Sequence, residues 1–179
     1  MKKLFYFSAV LVLILYSCAK TTPPAPAPPV ISYSSFTTSD ANNAVFTFNF
    51  TDADGDIGLN QNDTTGPYAV GTYGYYDFYM RYYCWSQHAN TYVTYFRVFP
   101  NLSAFLDSAI VRYRIPFIVN NTKNKGLDGQ VIINLAGYKP PRQDANDDST
   151  MIFRYEFWMY DRALHKSNVV TTPSFTTPY

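Results

Sequence analysis

Between Ala44 and Thr51 the chain places Phe46, Phe48 and Phe50 on one parity and Thr47, Asn49 and Thr51 on the other. A side-chain period of two belongs to an extended strand, whose residues point alternately to opposite faces; a helix would scatter these six around its circumference. The pattern therefore demands a sheet with one face on an apolar core. It recurs along the chain. In Tyr73–Trp85 the even positions Tyr76, Phe78, Met80, Tyr82 and Cys84 suit a core face, and the odd ones carry Asp77 and Arg81. In Val111–Val119, Val111, Tyr113, Ile115, Phe117 and Val119 point one way, Arg112 and Arg114 the other, with Pro116 favouring an edge strand or a bulge. In Met151–Asp161, Met151, Phe153, Tyr155, Phe157 and Met159 point inward while Arg154, Glu156 and Trp158 point outward.

Val30–Phe36, Tyr92–Phe99, Gln130–Leu135 and Asn168–Thr172 complete the set of segments. Arg162–Ser167 is short enough to close a hairpin between the last two strands. Leu102–Ile110 reads as a short helix or a crossover. With 17 Tyr and 14 Phe and few helix formers, the composition favours pleated, half-buried surfaces. The expectation is an all-β domain, an antiparallel Ig/fibronectin-like β-sandwich of seven or eight strands. A jelly roll or small barrel is the alternative.

The N-terminus carries an address. Lys2 and Lys3 precede an apolar run from Leu4 to Tyr16, about 13 residues where a membrane-spanning helix needs roughly 20. Leu15-Tyr16-Ser17-Cys18 follows, and it resembles the lipobox of bacterial lipoprotein signals, with Tyr16 where a smaller residue is usual. The resemblance implies cleavage before Cys18 and lipid attachment to it. Residues 1–17 are then a signal peptide, 18–29 the lipidated cysteine and a Pro-rich tether, and 30–179 the β-sandwich domain. Lys20–Pro29 is extended and polyproline-like, a spacer of about 30 Å. Removing Lys2 and Lys3 takes the formal charge from +1 to −1. Cys84 is then the one other cysteine, so no internal disulfide is available. No basic patch is visible in the sequence that would argue for nucleic acid.

The sharpest motif is Asp52-Ala53-Asp54-Gly55-Asp56-Ile57-Gly58. Carboxylates at alternate positions can converge on one hard cation, and calcium takes six to eight oxygens. The run is similar to the first half of an EF-hand loop, but its glycines stand elsewhere and Asp63 occupies the place of the bidentate glutamate. An acidic turn whose aspartates cap backbone amides accounts for the same residues. If Ala44–Thr51 and Met151–Asp161 are strands B and F of an Ig-like sandwich, their exits share one end. Asp161 would then join Asp52, Asp54 and Asp56 as a calcium ligand, or Arg162 would neutralise Asp52 or Asp54. That meeting needs an even number of traverses, so one of the eight segments must be irregular.

The acidic run after an aromatic strand, together with Asp161-Arg162-Ala163-Leu164-His165-Lys166-Ser167-Asn168 near the far end, is similar to small Bacteroidetes-type lipoproteins with an Ig-like domain. The resemblance implies an outer-membrane location in a Gram-negative bacterium and brings no defined activity. Asp63-Thr64-Thr65, Asp107-Ser108-Ala109 and Asp148-Ser149-Thr150 resemble the O-glycosylation acceptor of that lineage. His88 and His165 are the two histidines, and neither lies in a pattern typical of a nucleophile site. Asp144-Ala145-Asn146-Asp147-Asp148 reads as a solvated turn or as a second cation loop. Outward Tyr73, Tyr75, Tyr79, Tyr83 and Trp158 either pair across strands or form a platform for sugar rings. The function expected is a non-enzymatic, lipid-anchored envelope module for adhesion or assembly. Its partners are the membrane through the anchor and an envelope protein or glycan. The alternative is a carbohydrate-binding accessory lipoprotein.

Overall fold

The computed structural model describes residues 27–40, 42–87, 89–94, 110–118, 126–138 and 150–178. Cys18, His88, Asp144–Asp148 and most of the tether and of Leu102–Ile110 lie outside them. So do Asp107-Ser108-Ala109 and the Asp148-Ser149 pair.

The described residues form an all-β sandwich of antiparallel sheets, without an α-helix. The strands are β1 (Val30–Thr38), β2 (Asn43–Asp52), β3 (Phe78–Ser86), β4 (Thr91–Thr94), β5 (Ile110–Tyr113), β6 (Leu127–Ala136), β7 (Thr150–Met159), β8 (Val170–Thr171) and β9 (Phe175–Pro178). One sheet runs β1-β2-β6. The other runs β4-β3-β7-β8, with β5 also on β3 and β9 also on β7.

Two edges of the second sheet are broken strands. β4 pairs with Tyr83–Ser86 and β5 with Phe78–Arg81, so they lie end to end along β3 as one interrupted traverse. β8 and β9 divide the other edge of β7 in the same way, meeting Glu156–Phe157 and Thr150–Phe153 respectively. Between them stands Pro173, which has no N–H to give a ladder. Thr172 covers the gap, its Oγ1 accepting from the Tyr155 N–H at 3.0 Å. Counted this way, the described strands make seven traverses, A-B-E in one sheet and C′-C-F-G in the other. The pair β4/β5 resolves the parity, because two sequence segments make one crossing. β9 has no counterpart among the expected strands, and the strand at Tyr73 begins only at Phe78, after a 3-10 turn over Tyr73–Tyr75.

The alternation places the core. Phe46 and Phe48 of β2, Phe78 of β3, and Phe153 and Phe157 of β7 have no exposed surface. Phe46 meets Phe157 edge-on at 5.0 Å between centroids, and Phe48 stacks on Phe78 at 5.0 Å, so aromatic pairs join the two sheets. All five inward residues expected of Met151–Asp161 are buried. Tyr76 is an exception to its segment's phase and packs instead with Tyr79, Trp158 and Tyr160 outside the main core.

Candidate metal centre

Asp52 keeps the phase of Ala44, Phe46, Phe48 and Phe50, and Asp161 keeps that of Met151 to Met159. Asp52 closes the β2–β6 ladder opposite Leu127 and Asp161 stands just past the end of β7; each extends an apolar strand face by one step, and both end buried, at 3% and 1% exposure. Because β2 and β7 leave their sheets at the same end, the two carboxylates meet. Asp54 and Asp56 fold in beside them, and one oxygen from each of the four lies within 4.8 Å of the others.

The connecting loop is fixed to the core. Ile57 is fully buried and Leu59 nearly so. Leu59 donates to the Ile115 carbonyl at 2.8 Å and accepts from the Phe117 N–H at 3.1 Å, while Ile118 donates to Ile57 at 3.2 Å. Gly58 lies between them with φ +87°, where a Cβ would stand 2.3 Å from the Pro116 carbonyl oxygen. Only glycine suits both the backbone angle and the space.

The carboxylates divide their oxygens. Asp52 Oδ2 accepts the Asp56 N–H at 2.8 Å, so the capping turn is present. Asp161 Oδ1 accepts the His165 N–H at 2.7 Å, and its Oδ2 is 2.8 Å from His165 Nδ1. Oδ1 of Asp52, of Asp54 and of Asp56 are buried with no hydrogen-bond partner. Buried acceptors left bare are costly, about 1–3 kcal/mol each and more when charged. Burial pushes Asp56 up to about 6, helped by the charges of Asp161, Asp54 and Asp52. Burial also raises Asp52. His165 is raised by its hydrogen bond to Asp161.

Arg162 turns away from the cluster. Its guanidinium pairs with Asp63 at 2.6 Å and lies over Phe117 at 4.9 Å. Asp63 is accordingly lowered and stands apart from the four carboxylates as a brace for the loop. Arg162 reaches the loop a second time through its backbone N–H, which donates to the Asp56 carbonyl at 3.1 Å.

Oxygens bound to one calcium at 2.3–2.6 Å are at most about 4.6–5.2 Å apart, so the spacing of the cluster suits a single hard cation. All-oxygen donors favour calcium over softer metals. Asp77, between the 3-10 turn and β3, was not a candidate in the sequence. It is 2% exposed, its Oδ1 accepts from the Ile115 N–H at 2.7 Å, and its Oδ2 has no partner. Burial pushes it up to about 7. Comparison with protein-family models, with curated proteins and with solved structures finds no match to this chain.

Proposed function

We propose that this chain is a non-enzymatic module of a Gram-negative cell envelope. It is a lipid-anchored β-sandwich, clamped by calcium at one end and displayed on a tether for adhesion or assembly. The observation that carries the clamp is the set of three buried, unpartnered carboxylate oxygens, on Asp52, Asp54 and Asp56, with Asp161 beside them. A divalent cation there would satisfy every orphaned oxygen at once. It would also tie the B–C loop to the F–G turn, which otherwise repel each other through four carboxylates.

The expected affinity is that of an extracellular module, with a dissociation constant of about 0.1–1 mM. The anchoring part of the proposal rests on the Lys2–Cys18 signal. No helix among the described residues is long and apolar enough to cross a membrane.

Two experiments test the proposal. The melting temperature of the wild type should rise with added calcium and that of Asp54→Ala should stay flat; a wild type that ignores calcium removes the clamp. Cys18→Ala should release the domain from the membrane fraction, and a variant that stays there removes the anchor.

A further inference from the structure

The outer face of the second sheet differs in character from the acidic end. Across it run the pairs Arg112–Tyr79–Trp158, Ile110–Arg81–Glu156 and Tyr83–Arg154. Among the described residues of these rows stand three arginines and one carboxylate; Arg81 holds Glu156 at 3.1 Å, and Arg112 is engaged as well. Beside them lies a groove of about 460 Å³, lined chiefly by Tyr73, Tyr76, Tyr79, Arg81, Arg112 and Trp158.

Three features of the groove point to its ligand. The first is an excess of donors. Arg81 and Trp158 are among its lining residues, and Arg81 Nε and Trp158 Nε1 are buried without a partner, as is Arg154 Nε on the same sheet face. These atoms donate and do not accept, so only an acceptor-rich ligand can satisfy them. The second is charge. Lys166 Nζ lies 4.7 Å from the Trp158 ring centroid and the Arg81 guanidinium 5.3 Å from it, which adds a further cation to the arginines. The third is an exposed ring. Tyr79 and Trp158 are parallel, 2° apart, and both buried. Tyr73 continues the row 6.0 Å from Tyr79 and is 57% exposed. The Tyr79 hydroxyl donates to the Tyr73 backbone carbonyl at 2.7 Å, which ties the main chain that carries the exposed ring.

We infer that this groove binds an acidic saccharide, a glycan whose rings carry carboxylates. A pyranose has an apolar face to cover Tyr73 and hydroxyl oxygens to accept from the indole and guanidinium groups. Its carboxylate would pair with the arginines, whose planar fork matches that geometry. A purely apolar partner would leave the buried donors bare.

The site is separate from the acidic cluster, so its test is too. An oligogalacturonate should bind the full chain, and a neutral galactose oligomer at least tenfold more weakly. Tyr73→Ala and Arg112→Gln, both at the groove's edge, should each weaken oligogalacturonate binding tenfold or more. Binding should also weaken as salt rises. Asp54→Ala, measured in parallel, should lose the calcium response and keep the saccharide, which separates a failure here from a failure of the clamp. The assignment is overturned if the wild type does not bind, if the neutral oligomer binds as well, or if both groove variants bind unchanged. Equal binding of poly-glutamate would show that charge alone is read and would equally overturn it. Binding of phosphatidylglycerol vesicles with none of the oligogalacturonate would assign the face to lipid instead.

Discussion

The acidic end and the outer face of the second sheet both leave buried polar atoms without partners, but of opposite kinds. At the end the orphans are acceptors, Oδ1 of Asp52, Asp54 and Asp56; on the face they are donors, Nε of Arg81 and Arg154 and Nε1 of Trp158. Neither region satisfies itself. The sandwich thus presents one site whose chemistry wants a cation and another whose chemistry wants an anion. Asp77 shows a third outcome. It too has an unpartnered buried oxygen, yet it is single, and raising its pKa so that it keeps a proton is the cheaper resolution.

The strongest way to break this contrast is to destroy one side alone. Gly58→Ala should cost about 3 kcal/mol or more, because the Cβ meets the Pro116 carbonyl at 2.3 Å at a backbone angle that alanine resists. Denaturant titration reads the loss. The variant should also lose its calcium response while keeping oligogalacturonate affinity. A Gly58→Ala protein as stable as the wild type would show that the loop is not held as described.

Asp77→Asn separates the proton solution from the cation solution. The folded-state pKa of Asp77 is raised to about 7, so between about pH 4 and 7 the folded chain holds a proton that the unfolded chain has lost. Its contribution is therefore complete below about pH 4 and disappears as pH rises through 7. Asparagine keeps the acceptor for the Ile115 N–H and carries no charge at any pH. The variant should match the wild type below about pH 4 and gain on it as pH rises, by roughly 3 kcal/mol between pH 5 and pH 8. Parallel pH curves for the two proteins would sink the assignment.

Calcium should reverse that slope at the acidic end. Protons and the cation compete for Asp56, raised to about 6, and for Asp52, also raised. The increment in melting temperature from a saturating calcium dose should be several degrees at pH 7.5 and much smaller at pH 5. An increment independent of pH would place the cation elsewhere.

Much of the acidic end was legible in the chain. Asp52 and Asp161 share the parity of the phenylalanines before them, so the period that places Phe50 and Met159 inside also carries the carboxylates inside. What the period could not show is that Thr91–Thr94 and Ile110–Tyr113 make one crossing. That is a matter of pairing, and single strands do not carry their partners' register. On the aromatic face Tyr79 and Trp158 pair across strands, one of the two expected arrangements. Trp158 has an outward parity, but Tyr79, Arg81 and Lys166 close over it and leave it 8% exposed, so Tyr73, from a turn, supplies the open ring. Nothing in the spacing of Asp161 and His165 announced that the histidine would spend both its ring and its backbone N–H on the aspartate.

The smallest effect discriminates most finely. Trp158→Phe removes the buried indole N–H, which relieves an unsatisfied donor worth about 1–3 kcal/mol. It also removes ring volume and weakens the hold on Arg81 and Lys166, a loss of similar size. The two should nearly cancel, leaving stability within about 1 kcal/mol of the wild type, whereas Trp158→Ala should cost about 3–5 kcal/mol. The same Trp158→Phe protein should bind oligogalacturonate several-fold more weakly, because the donor it lacks is one the ligand would have used. If the phenylalanine costs as much stability as the alanine, the indole N–H already has a partner in solution, and the donor side of the contrast loses one of its three members.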